Sequence, residues 1–196
     1  AITTAEGGSI LTNNKKLYNK INLLKNHGIN RNKDLSKKYG LWFYSIKNLG
    51  YNYRLSDIQC ALGISQLKKL NFFIKKRREL AKIYDNAFSN IKKLKIPPTR
   101  KYCNHSYHIY PLQIDFNKTK INKKNFFLKL RANKIYTQVH YLPLHYHEYY
   151  KKNFNFKKGD FPISEEHYNK EVSLPIYPLL KKKYVSKVID NIIKNL

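Results

Sequence analysis

The chain has 196 residues, 42% hydrophobic and 14% aromatic, enough to bury the core of one large domain or two small ones. No apolar run approaches the roughly 18–20 residues needed to cross a bilayer, and Ala1 to Gly8 has neither the basic start nor the apolar centre of a signal peptide, so a cytoplasmic protein is expected. Cys60 and Cys103 offer neither a disulfide framework nor zinc-ligand spacing, and 39 Lys and Arg against 12 Asp and Glu give a formal charge of +27.

Taken in chain order, β-branched residues flank Glu6-Gly7-Gly8 between Ile2 and Thr12, a pattern that predicts two short strands joined by a tight turn. Asn13 and Asn14 are suitable N-caps for a helix from Lys15 to His27 carrying Leu17, Ile21 and Leu24, with Gly28 at the position of a C-terminal cap. The stretch through Asn48 has no period and reads as a loop carrying Tyr39, Trp42, Phe43 and Tyr44 as buried aromatic anchors. From Ser56 a long helix is expected through Ile58, Leu62, Leu70, Ile74 and Tyr84, and Pro97-Pro98 marks a boundary.

Beyond that boundary, Tyr107 to Ile114 and Tyr136 to Tyr141 alternate as strands around a helix from Lys123 to Ala132. A polar, aromatic loop follows, then a helix near Ser164 to Glu171 and a final amphipathic helix through Val185, Val188, Ile189 and Ile193. The expected fold class is α/β, divided into residues 1–98 and a small α+β domain, residues 99–196.

Three constellations carry candidate chemistry. The turn Thr3 to Gly8 offers hydroxyls and amides to a ligand, or is an ordinary turn. Gly50-Tyr51-Asn52-Tyr53-Arg54 stands just ahead of Ser56, where an amide, a guanidinium and free helix N–H groups together suit phosphate; a capped turn with a surface arginine is the plainer alternative. His140, His145 and His147 fall within eight residues but lack an acidic or cysteine partner at metal spacing, so a polar substrate wall or packing is expected and no metal. The +27 charge supports a rival reading, a basic nucleic-acid-binding module, although the excess is dispersed lysine in a composition that AT-rich codon usage produces by itself.

Ile2-Thr3-Thr4-Ala5-Glu6-Gly7-Gly8, Leu24 to Ile29, Gly50 to Gln59 running into Ala61-Leu62-Gly63, His140 to His145, and Ser173 to Pro178 stand together in one order. In these five motifs the chain resembles the DegT/DnrJ/EryC1/StrS aminotransferases over nearly its whole length. The resemblance implies the C-terminal part of the aspartate-aminotransferase (fold type I) architecture, with pyridoxal 5'-phosphate as cofactor. The motifs, with Gly159-Asp160-Phe161-Pro162, are most similar to the branch that aminates UDP-linked 4-keto-6-deoxy sugars with glutamate in pseudaminic-acid synthesis. It further implies that the Schiff-base lysine lies just upstream of Ala1, so that the chain by itself does not turn over. Asn52 would reach the cofactor phosphate of the other subunit of a homodimer, Arg54 would support the same region, and His140 and His145 would line the sugar side of the site.

Overall fold

Asn14 caps the first helix as its sequence predicts. In the computed structural model, which describes residues 1–31 and 33–196, α1 (Lys15–Leu24) starts where Asn14 Oδ1 accepts the Leu17 N–H at 3.1 Å. The helix stops at Leu24, short of the expected His27, and the chain reverses at Gly28 with φ +68°. A Cβ there would stand 1.8 Å from the Asn48 carbonyl oxygen, so glycine is required by space as well as by conformation.

Residues 2–12 form no strands, contrary to the predicted hairpin. The Thr4 hydroxyl donates to the Glu6 carbonyl (2.9 Å) and Thr3 Oγ1 accepts the Ala5 N–H (3.1 Å), so side chains close the bend and no ladder forms. Downstream, the expected loop contains β1 (Ile29–Asn30) paired antiparallel with β2 (Ser45–Ile46), and α2 (Lys33–Tyr39) between them. Elements of two and seven residues are too short to leave a readable period.

The long helix is α3 (Asp57–Phe88). Its start is a reciprocal cap: Gln59 Oε1 accepts the Ser56 N–H at 3.1 Å, and Ser56 Oγ accepts the Gln59 N–H at 3.4 Å. The chain packs as two units, residues 2–68 and 69–196, and the boundary falls inside α3.

In residues 69–196, β3 (Leu94–Lys95), β4 (Tyr110–Ile114) and β5 (Glu171–Leu174) form an antiparallel sheet in that order. β4 alternates, burying Tyr110, Leu112 and Ile114, whereas all four residues of β5 are buried. Pro111 is accommodated because β3 reaches only Gln113 and Ile114, leaving one neighbour at its position. Around the sheet, α4 (Lys123–Ala132) contributes Phe126 and Leu130, the second half of α3 contributes Leu80, Ala81, Tyr84 and Phe88, and the last helix contributes Val185, Val188 and Ile192 to one core. The polar loop after α4 holds α5 (Glu148–Phe154), and α6 (Pro162–Lys170) opens on a proline at its first turn; α7 (Lys182–Lys194) closes the chain.

Two strand and helix expectations are corrected here. Tyr136 to Tyr141 is not a strand but makes a single bridge, Gln138 to Ser173; two residues on, the His140 N–H goes to the Glu171 side chain and not to a strand partner. The helix expected to reach Glu171 ends at Lys170, and Glu171 instead opens β5.

Arg77 fastens α3 to this unit. Its Nη1 lies 3.1, 2.9 and 2.8 Å from the carbonyls of Tyr107, His108 and Ile176, while its buried Nε has no partner among the described residues. Burial lowers its pKa, and a guanidinium stays charged all the same. Tyr84 and Tyr110 donate to the Pro175 carbonyl (2.9 Å) and to Asp85 (2.7 Å), and burial pushes both phenols well up.

Candidate functional site

In residues 2–68 the phosphate-type candidates stand beside one cleft. Gly50 lets the backbone pass close to the end of α1, since a Cβ on it would meet the Gly28 nitrogen at 2.2 Å. The segment after it runs antiparallel to that end: Tyr51 N–H donates to the Leu24 carbonyl (2.7 Å), Tyr53 N–H to the Lys25 carbonyl (2.8 Å), and Asn52 bridges Asn26. Such an extended segment sends Tyr51 and Tyr53 to one side, where their rings stack at 4.8 Å. Asn52 and Arg54 are exposed, and Arg54 Nη1 donates to Asn26 Oδ1 at 2.6 Å.

The cleft has a volume of about 940 Å³ and is lined by the turn Glu6 to Gly8 together with Lys25, Tyr53, Arg54 and Gln59. The cap of α3 is tied into this wall, for Gln59 Nε2 donates to the Glu6 carbonyl at 2.9 Å. Gln59 thus joins the Thr3 to Gly8 turn to Ser56 at the start of α3, two residues after Arg54. Lys25 is a lining residue that the sequence reading missed, although the Ser-x-x-Gln signature and the Lys-Asn-His-Gly motif both pointed to this corner.

In residues 69–196 the histidines have separate fates. Half-buried His140 places Nδ1 2.8 Å from Ser173 Oγ, and its N–H donates to Glu171 Oε2 at 2.9 Å. Glu171 is fully buried and its Oε1 accepts the Ser173 hydroxyl at 2.5 Å. Nearby Lys123 donates to the Tyr168 carbonyl; burial lowers its pKa, and the charge of Glu171 acts in the opposite direction.

His145 is buried at 4% exposure, with Nε2 2.9 Å from Glu165 Oε1. Burial works against the ionised Glu165, but the Gly159 N–H (2.6 Å) and the side chains of His145 and Tyr146 outweigh it, and the pKa is lowered. His145 therefore anchors its loop to Gly159 and α6, and its Nε2 is already engaged. His147 is exposed, and among the described residues no three His, Cys, Asp or Glu side chains gather in a metal-binding group.

The DegT/DnrJ/EryC1/StrS aminotransferase family model matches residues 1–193. The chain belongs to that family. It is 44% identical over 196 residues to an uncharacterized protein of Methanocaldococcus jannaschii, covering 98% of this chain and 50% of the relative. It is also 37% identical over 193 residues to the UDP-4-amino-4,6-dideoxy-N-acetyl-beta-L-altrosamine transaminase of Campylobacter jejuni, covering 97% and 48%. Among solved structures, Helicobacter pylori PseC, an aminotransferase involved in the biosynthesis of pseudoaminic acid, superposes with a TM-score of 0.86 at 33% identity, over 99% of this chain and 50% of that one. The fold is thus the partial aminotransferase α/β fold expected from the motifs. The chain spans about half the length of the relatives it matches.

The family's cofactor is pyridoxal phosphate. Its phosphate fits donors that line the cleft of residues 2–68: the Arg54 guanidinium, the Lys25 ammonium and an open backbone at Gly8, where a Cβ would meet nothing within 4 Å; the exposed Asn52 amide adjoins them in the chain but is not part of the lining. No helix among the described residues is long and apolar enough to cross a membrane.

Proposed function

We propose that this chain works as part of a cytoplasmic, pyridoxal-phosphate-dependent aminotransferase that transfers an amino group from glutamate to a UDP-linked 4-keto-6-deoxy sugar, in bacterial surface-glycan synthesis of the pseudaminic-acid type. The names carried by the Campylobacter relative and by PseC support the sugar class. In that enzyme residues 1–98 belong to the large domain with its connecting helix and residues 99–196 form the small domain. The enzyme is a homodimer whose sites are shared, and the lysine that carries the cofactor is none of this chain's own.

The observation that carries this reading is the exposed pair Asn52 and Arg54, held along the end of α1 by backbone hydrogen bonds and aimed away from any core. Bound pyridoxal phosphate supplies the electron sink for moving an amino group. Asn52 and Arg54 hold and orient the phosphate presented by the other subunit. His140 contacts the sugar, and His145 shapes the same wall through the loop that it anchors.

The test joins residues 1–196 to the N-terminal half of the Campylobacter transaminase and follows amino transfer from glutamate to the UDP-keto sugar. Asn52→Ala is expected to weaken cofactor retention by about 1.5–3 kcal/mol, the worth of a charge-assisted hydrogen bond, and Arg54→Ala by at least as much. The decisive experiment mixes two inactive proteins, one without the cofactor lysine and one with Asn52→Ala and Arg54→Ala. Shared sites give a mixed dimer with one intact site and restored activity. Confirmed subunit exchange without recovery overturns the cross-subunit assignment.

A further inference from the structure

Ser173 is fixed by backbone pairing on both sides, to Pro111 of β4 and to Gln138, so its hydroxyl oxygen has little freedom of position. That oxygen lies 2.5 Å from Glu171 Oε1 and 2.8 Å from His140 Nδ1. A serine has a single hydroxyl proton, and a 2.5 Å oxygen–oxygen contact has the length of a hydroxyl donating to a carboxylate. With its proton directed to Glu171, Ser173 has only a lone pair left for His140. The ring nitrogen facing it must then carry the proton.

The second carboxylate oxygen is committed as well, accepting the His140 N–H at 2.9 Å. One buried acid therefore holds His140 twice, directly through its backbone and through Ser173 at its ring. The remaining ring nitrogen, Nε2, makes no hydrogen bond among the described residues and is not sealed from water.

We propose that Glu171 and Ser173 are positioning residues that hold His140 in the Nδ1–H tautomer, so that Nε2 is presented as an acceptor for a hydroxyl or amide N–H of the bound sugar. The ligand half rests on the proposed function, and the tautomer half does not. Neutral imidazole free in water prefers the opposite tautomer, so the arrangement imposes a choice that His140 would not make alone. The polarity matters because a site that accepts from a sugar hydroxyl discriminates against a group that only accepts.

The experiment labels the whole 196-residue chain with ¹⁵N and reads protonation of the His140 ring nitrogens above pH 8 from two-bond ¹H–¹⁵N correlations, with His140→Gln identifying the signals. The expected pattern is a protonated Nδ1 and a bare Nε2. Ser173→Ala releases the ring toward Nε2–H, and Ser173→Thr, which keeps a hydroxyl, restores Nδ1–H. Glu171→Gln inverts the chain: its carbonyl still accepts the His140 N–H, its amide donates to Ser173, and the serine proton turns to Nδ1.

A wild-type His140 protonated at Nε2 overturns the proposal. So does a folded Glu171→Gln variant with an unchanged tautomer; if that variant unfolds, the Ser173 pair decides. In the fused enzyme, Glu171→Gln is expected to raise the sugar KM roughly tenfold. A flipped tautomer with an unchanged KM removes the sugar contact and leaves the positioning chain standing.

Discussion

Residues 69–196 and residues 2–68 are held together by different forces. The first unit buries eighteen apolar residues from Leu80 to Ile192 in one cluster, with Tyr84, Tyr110, Phe88 and Phe126 wholly removed from water. Among the described residues of the second unit only Gly28 is buried, while Leu11, Leu41, Trp42 and Leu49 are 93, 89, 82 and 90% exposed. What orders residues 2–68 is local hydrogen bonding: the Asn14 cap, the Ser56–Gln59 cap, and the backbone bonds between the end of α1 and Tyr51 to Tyr53. The contrast separates a region with an apolar core of its own from one without, in a chain that spans about half the length of its relatives.

The widest gap should appear on truncating large apolar side chains. Phe126→Ala removes a fully buried ring packed edge-on against Phe116 and is expected to cost about 3–5 kcal/mol in urea unfolding followed by circular dichroism. Trp42→Ala, at 82% exposure, should stay within about 0.5 kcal/mol. Equal losses would erase the distinction between the units. Next in size is Arg77→Ala, which strips a charged donor from three carbonyls and should cost about 1.5–3 kcal/mol by the same measurement. Arg77→Lys should recover only a fraction, because a single ammonium does not reproduce the fork.

A pH-dependent difference is expected at the His145–Glu165 contact. Glu165 has a lowered pKa in the folded chain, so its contribution is fully present above its unfolded value of about 4.3 and is lost as pH falls through the folded value. Thermal melts of wild type and Glu165→Gln should differ above about pH 5 and converge toward pH 3. Repulsion within a chain of formal charge +27 grows on acidification in both proteins and largely cancels in the difference. A gap that widened toward acid would contradict the depressed pKa.

Legibility in the sequence depended on the length of an element more than on the unit that holds it. Apolar spacing located α3, α4 and α7; of the face expected for α7, Val185 and Val188 are buried and Ile189 partly so, whereas Ile193 is 46% exposed and Ile192 takes the buried position. Short elements defeated it. The expected hairpin at residues 2–12 rested on β-branched composition, and composition does not reveal that these residues find no strand partner among the described residues. β5 hid inside Glu171 to Leu174, where burial on both faces removes alternation and the charged Glu171 suggests a surface. At the candidate site, the family-like motif pattern nominated Asn52, Arg54, His140 and His145. It did not identify their supports, since Gln59 reaches Glu6 across 53 residues and Ser173 reaches His140 across 33. The different surroundings of His140 and His145 likewise depend on contacts far away in sequence.

The smallest expected effect bears most directly on the division between stability and function. Arg54→Ala removes an exposed hydrogen bond to Asn26, and such a bond contributes about 0.5–1.5 kcal/mol net, toward the lower end where water replaces the lost partner. Asn52→Ala leaves the backbone bridge to Asn26 in place and should change unfolding free energy by less than about 0.5 kcal/mol. Both figures lie below those for Phe126 and Arg77, yet in the fused enzyme these substitutions are the ones expected to release the cofactor. Unfolding and cofactor retention measured on the same variants test the separation. If Asn52→Ala and Arg54→Ala each cost more than about 2 kcal/mol in folding, well beyond the usual range for surface positions, the pair is structural and its exposure loses its functional meaning. If both fold as wild type and cofactor retention falls, the side chains left outside any core are the ones reserved for the phosphate.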